Sequence, residues 1–149
     1  MENFNNLIIV DSDKEVMVPE CLRDAIVQYD HNVLDIFIDV PRYWYGKDLY
    51  GCYFAINFTP LEEKPDEDLA PVPCTNILEQ SPDDENAIRM TWTITNDLSK
   101  YKGKFKFLIC AKTEDEEGNE ELHWNSKLCY DMRVGEGLEG DVKEEYGNI

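Results

Sequence analysis

The sequence predicts an all-β chain, folded as an antiparallel β-sandwich of immunoglobulin-like architecture with about eight strands. Three observations predict it. Apolar residues fall on every second position in run after run, the period at which successive side chains alternate between the two faces of a strand. The runs recur at spacings of roughly 8–16 residues, with turn-like segments between most of them. Each run has one apolar face, as expected when two sheets close on a shared core. A small barrel is the alternative arrangement of the same elements.

Taken in order, "LIIV" (7–10) and "EVMV" (15–18) are β-rich runs joined by "DSDK", whose Asp and Ser side chains can bond their own backbone, so an N-terminal hairpin is expected. Residues 20–31, "ECLRDAIVQYDH", fit either a short helix, through Leu22, Ile26 and Tyr29, or an irregular loop. In "VLDIFIDV" (33–40), Leu34, Ile36, Ile38 and Val40 share one face, Asp35 and Asp39 lie on the other, and Pro41 ends the strand. "PRYWYGKD" (41–48) is a turn-rich aromatic connection, and in "LYGCYFAINF" (49–58) Cys52, Phe54, Ile56 and Phe58 share a face. Residues 59–86 are rich in proline and acid and read as loop, with a short edge strand at Thr75–Leu78.

Beyond the loop, Ile88, Met90, Trp92 and Ile94 face one way and Arg89, Thr91, Thr93 and Thr95 the other. "NDLSKYKG" turns the chain, after which Phe105, Phe107, Ile109 and Ala111 face inward with Lys104, Lys106 and Lys112 opposite. "TEDEEGNEE" is an exposed hairpin loop around Gly118, and Leu122 and Trp124 belong to the return strand. A last strand places Leu128, Tyr130, Met132 and Val134 on one side. Residues 1–139 are thus expected to form one domain, with 140–149 a flexible acidic tail.

Composition narrows the function classes. With 149 residues the chain can bury a real core. Its 32 Asp and Glu against 14 Lys and Arg give a net charge of −18, which repels nucleic acid and anionic membrane surfaces. No apolar run approaches the ~18 residues of a membrane helix. The N-terminus lacks the basic and apolar regions of a signal peptide, so synthesis in a cytosol is expected. The five cysteines are odd in number and widely spaced, which points to free, buried or half-buried thiols rather than to disulfides or a zinc ribbon.

The candidate chemistry is sparse. His31 and His123 are the only histidines, and no spacing places either in a metal or Cys–His motif; an enzyme would need one of them to meet a Cys or carboxylate in a cleft. The acidic loops lack the alternating ligand pattern of a calcium loop, and phosphate-loop, nucleophile-elbow and zincin motifs are missing. No cofactor is expected. "RYWYGKDLYGCY" packs five aromatics, Tyr43, Trp44, Tyr45, Tyr50 and Tyr53, into twelve residues. They read either as a binding patch for a partner or a sugar, or as filling for the end of the core. The loop carrying Leu61, Pro65, Leu69, Pro71 and Pro73 is the candidate contact surface.

Several segments occur in an order that resembles a known family. They are "VMVPE", "VQYDHNVLDIFIDVPRYWYGKDL", "IRMTWTITNDLSKYKGKFKFLICA", the acidic hairpin and "LHWNSKLCYDMRVGEGLEG". Together, from about residue 6 to 139, the chain is similar to the N-terminal domain of phage baseplate upper proteins, from phages and prophages of Gram-positive gut bacteria. Asp30-His31-Asn32, Pro41-Arg42-Tyr43, Gly46-Lys47-Asp48-Leu49, Trp92, Tyr101-Lys102-Gly103 and Trp124-Asn125 carry the likeness. The resemblance implies a virion location and a non-enzymatic role, docking onto other tail or baseplate proteins, with homo-oligomers and no catalytic residues. The sequence stops ten residues after "GLE", where relatives continue, so a stand-alone adaptor or accessory protein is expected rather than a fibre. The alternative is a carbohydrate-binding module recognising a host-surface glycan, motivated by the aromatic segment.

Overall fold

The computed structural model describes residues 5–139; the expected tail at 140–149 lies outside the described residues. Alternation governs the fold. Leu7–Val10 (β1), Asp35–Pro41 (β4) and Ala87–Thr93 (β10) turn Ile8, Val10, Ile36, Ile38, Val40, Ile88, Met90 and Trp92 to one side, where all are buried. Together with Val16–Met17 (β2) and Thr75–Leu78 (β9) they form a five-stranded sheet in the order β2-β1-β4-β10-β9.

The second sheet is built on Gly103–Glu114 (β11), flanked on one side by Tyr53–Pro60 (β7). Its other side is shared by Glu120–Asn125 (β12) and Cys129–Gly135 (β13). Ile26–Val27 (β3) and Val72–Pro73 (β8) extend it at its edges. Phe54, Ile56, Phe58, Phe105, Phe107, Ile109 and Ala111 face the first sheet across the core. Trp92 and Phe107 close the gap between the sheets, their ring centroids 5.3 Å apart. Of the thirteen strands among the described residues, eight have four or more residues (β1, β4, β7, β9–β13), in line with the expected number. The remaining five are two-residue pieces.

The turns follow from their residues. Asp11 Oδ1 accepts hydrogen bonds from the backbone N–H groups of Asp13 and Glu15, and Asp115 Oδ1 does the same for Glu117 and Asn119. Both hairpin loops then place one residue in the left-handed region, Lys14 at φ 68° and Gly118 at φ 84°. Residues 20–31 resolve into a helical turn, Glu20–Arg23 (α1), and strand β3. The "NDLSKYKG" turn contains a second helical turn, Asn96–Ser99 (α2).

Three expectations need correction. The sheets are mixed rather than purely antiparallel: β1 runs parallel to β4, and β3 runs parallel to β13. Both exceptions follow connections that leave one sheet before returning, because parallel neighbours cannot be joined by a tight turn. The last strand does not keep one face. Phe105 and Phe107 pair with Met132 and Cys129, so two residues of β13, Tyr130 and Asp131, oppose Lys106 alone of β11. That bulge shifts the phase: Cys129, Met132 and Val134 are buried, while Leu128 and Tyr130 are exposed. Finally, Cys21 is exposed rather than buried or half-buried, its thiol donating to the Asn5 carbonyl at 2.8 Å.

Asp39 faces away from the core, as its position in β4 requires, yet it is only 3% exposed. Arg89 Nε donates to its Oδ1 at 2.8 Å and Ser81 Oγ to its Oδ2 at 2.7 Å. Arg89 also reaches Asp83, so one guanidinium ties β4, β10 and the 81–86 loop together. Asp39→Ala removes the charged hydrogen bonds across β4 and β10 and leaves Ser81 without its acceptor, while Arg89 keeps Asp83. It is therefore expected to destabilise the chain by about 1–3 kcal/mol, read as a lower urea midpoint at unchanged slope.

Candidate functional site

The aromatic segment forms its own small hairpin, Tyr43–Trp44 (β5) against Lys47–Asp48 (β6). Its two central residues, Tyr45 and Gly46, both have positive φ, 48° and 81°. This is the backbone of a tight two-residue hairpin turn, which glycine permits and tyrosine tolerates under strain. Arg42 anchors the hairpin. Its Nε and Nη2 grip the two Asp48 oxygens at 3.0 and 2.8 Å, and its Nη1 reaches Glu79 at 3.0 Å. The guanidinium lies 5.1 Å from the Tyr43 ring centroid and 5.5 Å from that of Tyr50.

The five aromatics split between the two readings offered for them. Tyr43, Tyr45, Tyr50 and Tyr53 are exposed, Tyr45 at 91%. Trp44 is half-buried and packs edge-on against Trp124 at 6.2 Å. Lys14 Nζ stands 5.0 Å from the Trp44 ring and 5.4 Å from that of Trp124, so Trp44 belongs to the structure and the four tyrosines to the surface.

The second candidate surface is divided too. Pro71 and Pro73 are exposed, but Leu61, Pro65 and Leu69 are half-buried, and Leu69 packs against the core. Glu62 and Glu63 accept hydrogen bonds from the backbone N–H groups of Lys104 and Lys102, which clamps the loop to the start of β11. The two candidate surfaces begin at opposite ends of β7, and Pro73 returns to pair with Ala55.

Sequence reasoning did not find what lies on the outer face of the second sheet. His123 Nδ1 is 2.6 Å from Glu120 Oε1, and its Nε2 is 3.0 Å from Asn125 Oδ1 and 3.3 Å from Cys110 Sγ. The only signal was outward-facing parity, which cannot reveal which strands are neighbours. The order Glu–His–Cys has the look of an activated thiol, but the surroundings oppose one. Cys110 is 3% exposed, and burial pushes its thiol pKa up, whereas a nucleophile needs it lowered. The adjacent backbone is committed to strand pairing on both sides, leaving no donors for an oxyanion. Beside this network, an open cavity of about 560 Å³ is lined by Gly51, Cys52, Tyr53, Lys112, Thr113 and Glu114. His31 is placed elsewhere, its Nδ1 accepting from the backbone N–H of Asn96. Among the described residues, no cluster of three or more His, Cys, Asp or Glu is arranged to hold a metal ion.

No protein-family model matches the chain, and no curated protein matches it either. The likeness to phage baseplate domains therefore rests on the order of its residues alone.

Two outcomes follow for titration and reactivity. Hydrogen bonds from Arg42, and then from the Tyr50 backbone, hold the Asp48 carboxyl below its ordinary value of 3.8. What this pair contributes is present above the ordinary carboxylate range and is lost as the pH falls through the lowered value. In an NMR titration Asp48 is expected to have a midpoint below 3.8, and Arg42→Gln to move it upward. Burial pushes the Cys74 thiol to about 12 and the Cys129 thiol to about 11. At mildly alkaline pH iodoacetamide is expected to label Cys21 alone of the five cysteines, and all five after unfolding, as counted by mass spectrometry.

Proposed function

We propose that this chain is a non-enzymatic structural protein of a phage tail or baseplate, or an adaptor of such a particle, which joins neighbouring virion proteins and copies of itself. The observation that carries the contact reading is the exposure of four tyrosines at 43–53, two of which, Tyr43 and Tyr50, lie against the doubly anchored Arg42. Tyr and Arg are the residues that interfaces use most as anchors, since they cover area at low entropic cost. The hairpin that carries Tyr43 and Tyr45 is short, strained and tied by Arg42, so little ordering remains to be done there on docking. The virion setting rests on the resemblance, and the sandwich is the scaffold that the resemblance implies.

The test is the mass of the purified protein by light scattering across concentration. A discrete trimer or hexamer is expected, because repeated virion parts close by symmetry. The Tyr43→Ala/Tyr45→Ala pair is expected to lower that mass while changing folding stability by no more than about 0.5 kcal/mol per site. A monomer at every concentration removes self-association from the reading. An oligomer indifferent to both substitutions removes the tyrosine patch from it.

A further inference from the structure

On the outer face of the second sheet, the register pairs Lys112 with Tyr53 on one side and with His123 on the other. The three residues thus stand in one row across β7, β11 and β12, with Cβ spacings of about 4.5–5.5 Å between neighbours. The open cavity of about 560 Å³ lies at the Tyr53–Lys112 end of this row, with Gly51, Cys52, Thr113 and Glu114 completing its lining. Tyr53 is 67% exposed, so its ring face is available. Lys112 makes no ion pair among the described residues. His123, at the other end of the row and outside the cavity lining, is held in place by Glu120, Asn125 and Cys110.

These groups have a defined chemical complement. Lys112 only donates hydrogen bonds, ionised Glu114 only accepts, and Thr113 does both. The lysine and glutamate charges offset each other, so an anion would meet Glu114 and a cation would meet Lys112. A pyranose ring meets neither objection. Its C–H face is apolar and suits an exposed aromatic ring, while its rim of hydroxyls donates and accepts at once. We propose that this corner binds a neutral saccharide, with one pyranose ring lying on Tyr53 and its hydroxyls shared between Lys112 and Glu114. This goes beyond the contact reading and shares only Tyr53 with it.

The experiment is a heteronuclear NMR titration of the full chain with maltotriose, cellotriose and tri-N-acetylglucosamine, each to about 10 mM, a range that detects millimolar affinity. At least one probe is expected to give saturable shifts centred on Tyr53, Lys112 and Thr113. Tyr53→Ala and Lys112→Ala, each with an otherwise native spectrum, are expected to weaken that binding by about tenfold or more. Saturable shifts from none of the three sugars would overturn the proposal, as would binding that neither substitution affects. Lys112→Ala, which lies outside the tyrosine group, is not expected to alter the light-scattering mass. A failure here therefore leaves the contact reading standing, and a monomeric protein leaves this proposal standing.

Discussion

Twelve residues of one strand, Gly103–Glu114, hydrogen-bond to three others, and every other position in the second sheet is measured from them. Buried N–H and C=O groups must find partners, so the register of β11 against β7 admits no partial slip. A shift by one residue would send Phe105, Phe107 and Ile109 to the solvent and draw Lys104 and Lys106 into the core. The same register that aligns Phe54, Ala111 and Trp124 across three strands inside the sandwich aligns Tyr53, Lys112 and His123 outside it. Core and surface are two faces of one constraint.

The first sheet is bound differently. Its strands are held by backbone pairing and aliphatic packing on the inner side, and by the Asp39–Arg89–Asp83 chain on the outer side. In a protein of net charge −18 most carboxylates gain by staying in water. Asp39 does not, because Arg89 lies directly opposite it in the adjacent strand and Ser81 closes over it. The lock reaches across residues 39, 81, 83 and 89, and so fixes the part of the acidic loop nearest the sheet.

The alternation made the principal strands legible, since a residue's side of a strand depends only on parity. Ile36, Ile38, Phe105, Phe107 and Ile109 followed from that alone. Parity fails where a residue is inserted, and nothing in "KLCYDMRV" marks the bulge that turns Cys129 inward and Tyr130 outward. Parity also says nothing about neighbours. Asp39 was placed on the right face, but its cover by Arg89 needs the pairing of β4 with β10. The Glu120–His123–Cys110 network needs β12 laid against the far half of β11. For the aromatic segment, composition showed that something was presented but not which rings. Trp44 turned to Trp124 because a strand some eighty residues away supplies the surface it covers.

The parallel pair β3–β13 joins residues 26 and 27 to 134 and 135, near the two ends of the described chain. Closing so long a loop carries a large entropic cost, repaid here by only two register positions. The hairpin of β11 and β12, by contrast, closes over a loop of a few residues. During synthesis the acidic hairpin and its flanking strands can pair as soon as they emerge, whereas strand β3 must wait for almost the entire polypeptide. Until that late clasp forms, the edge of β13 stays open.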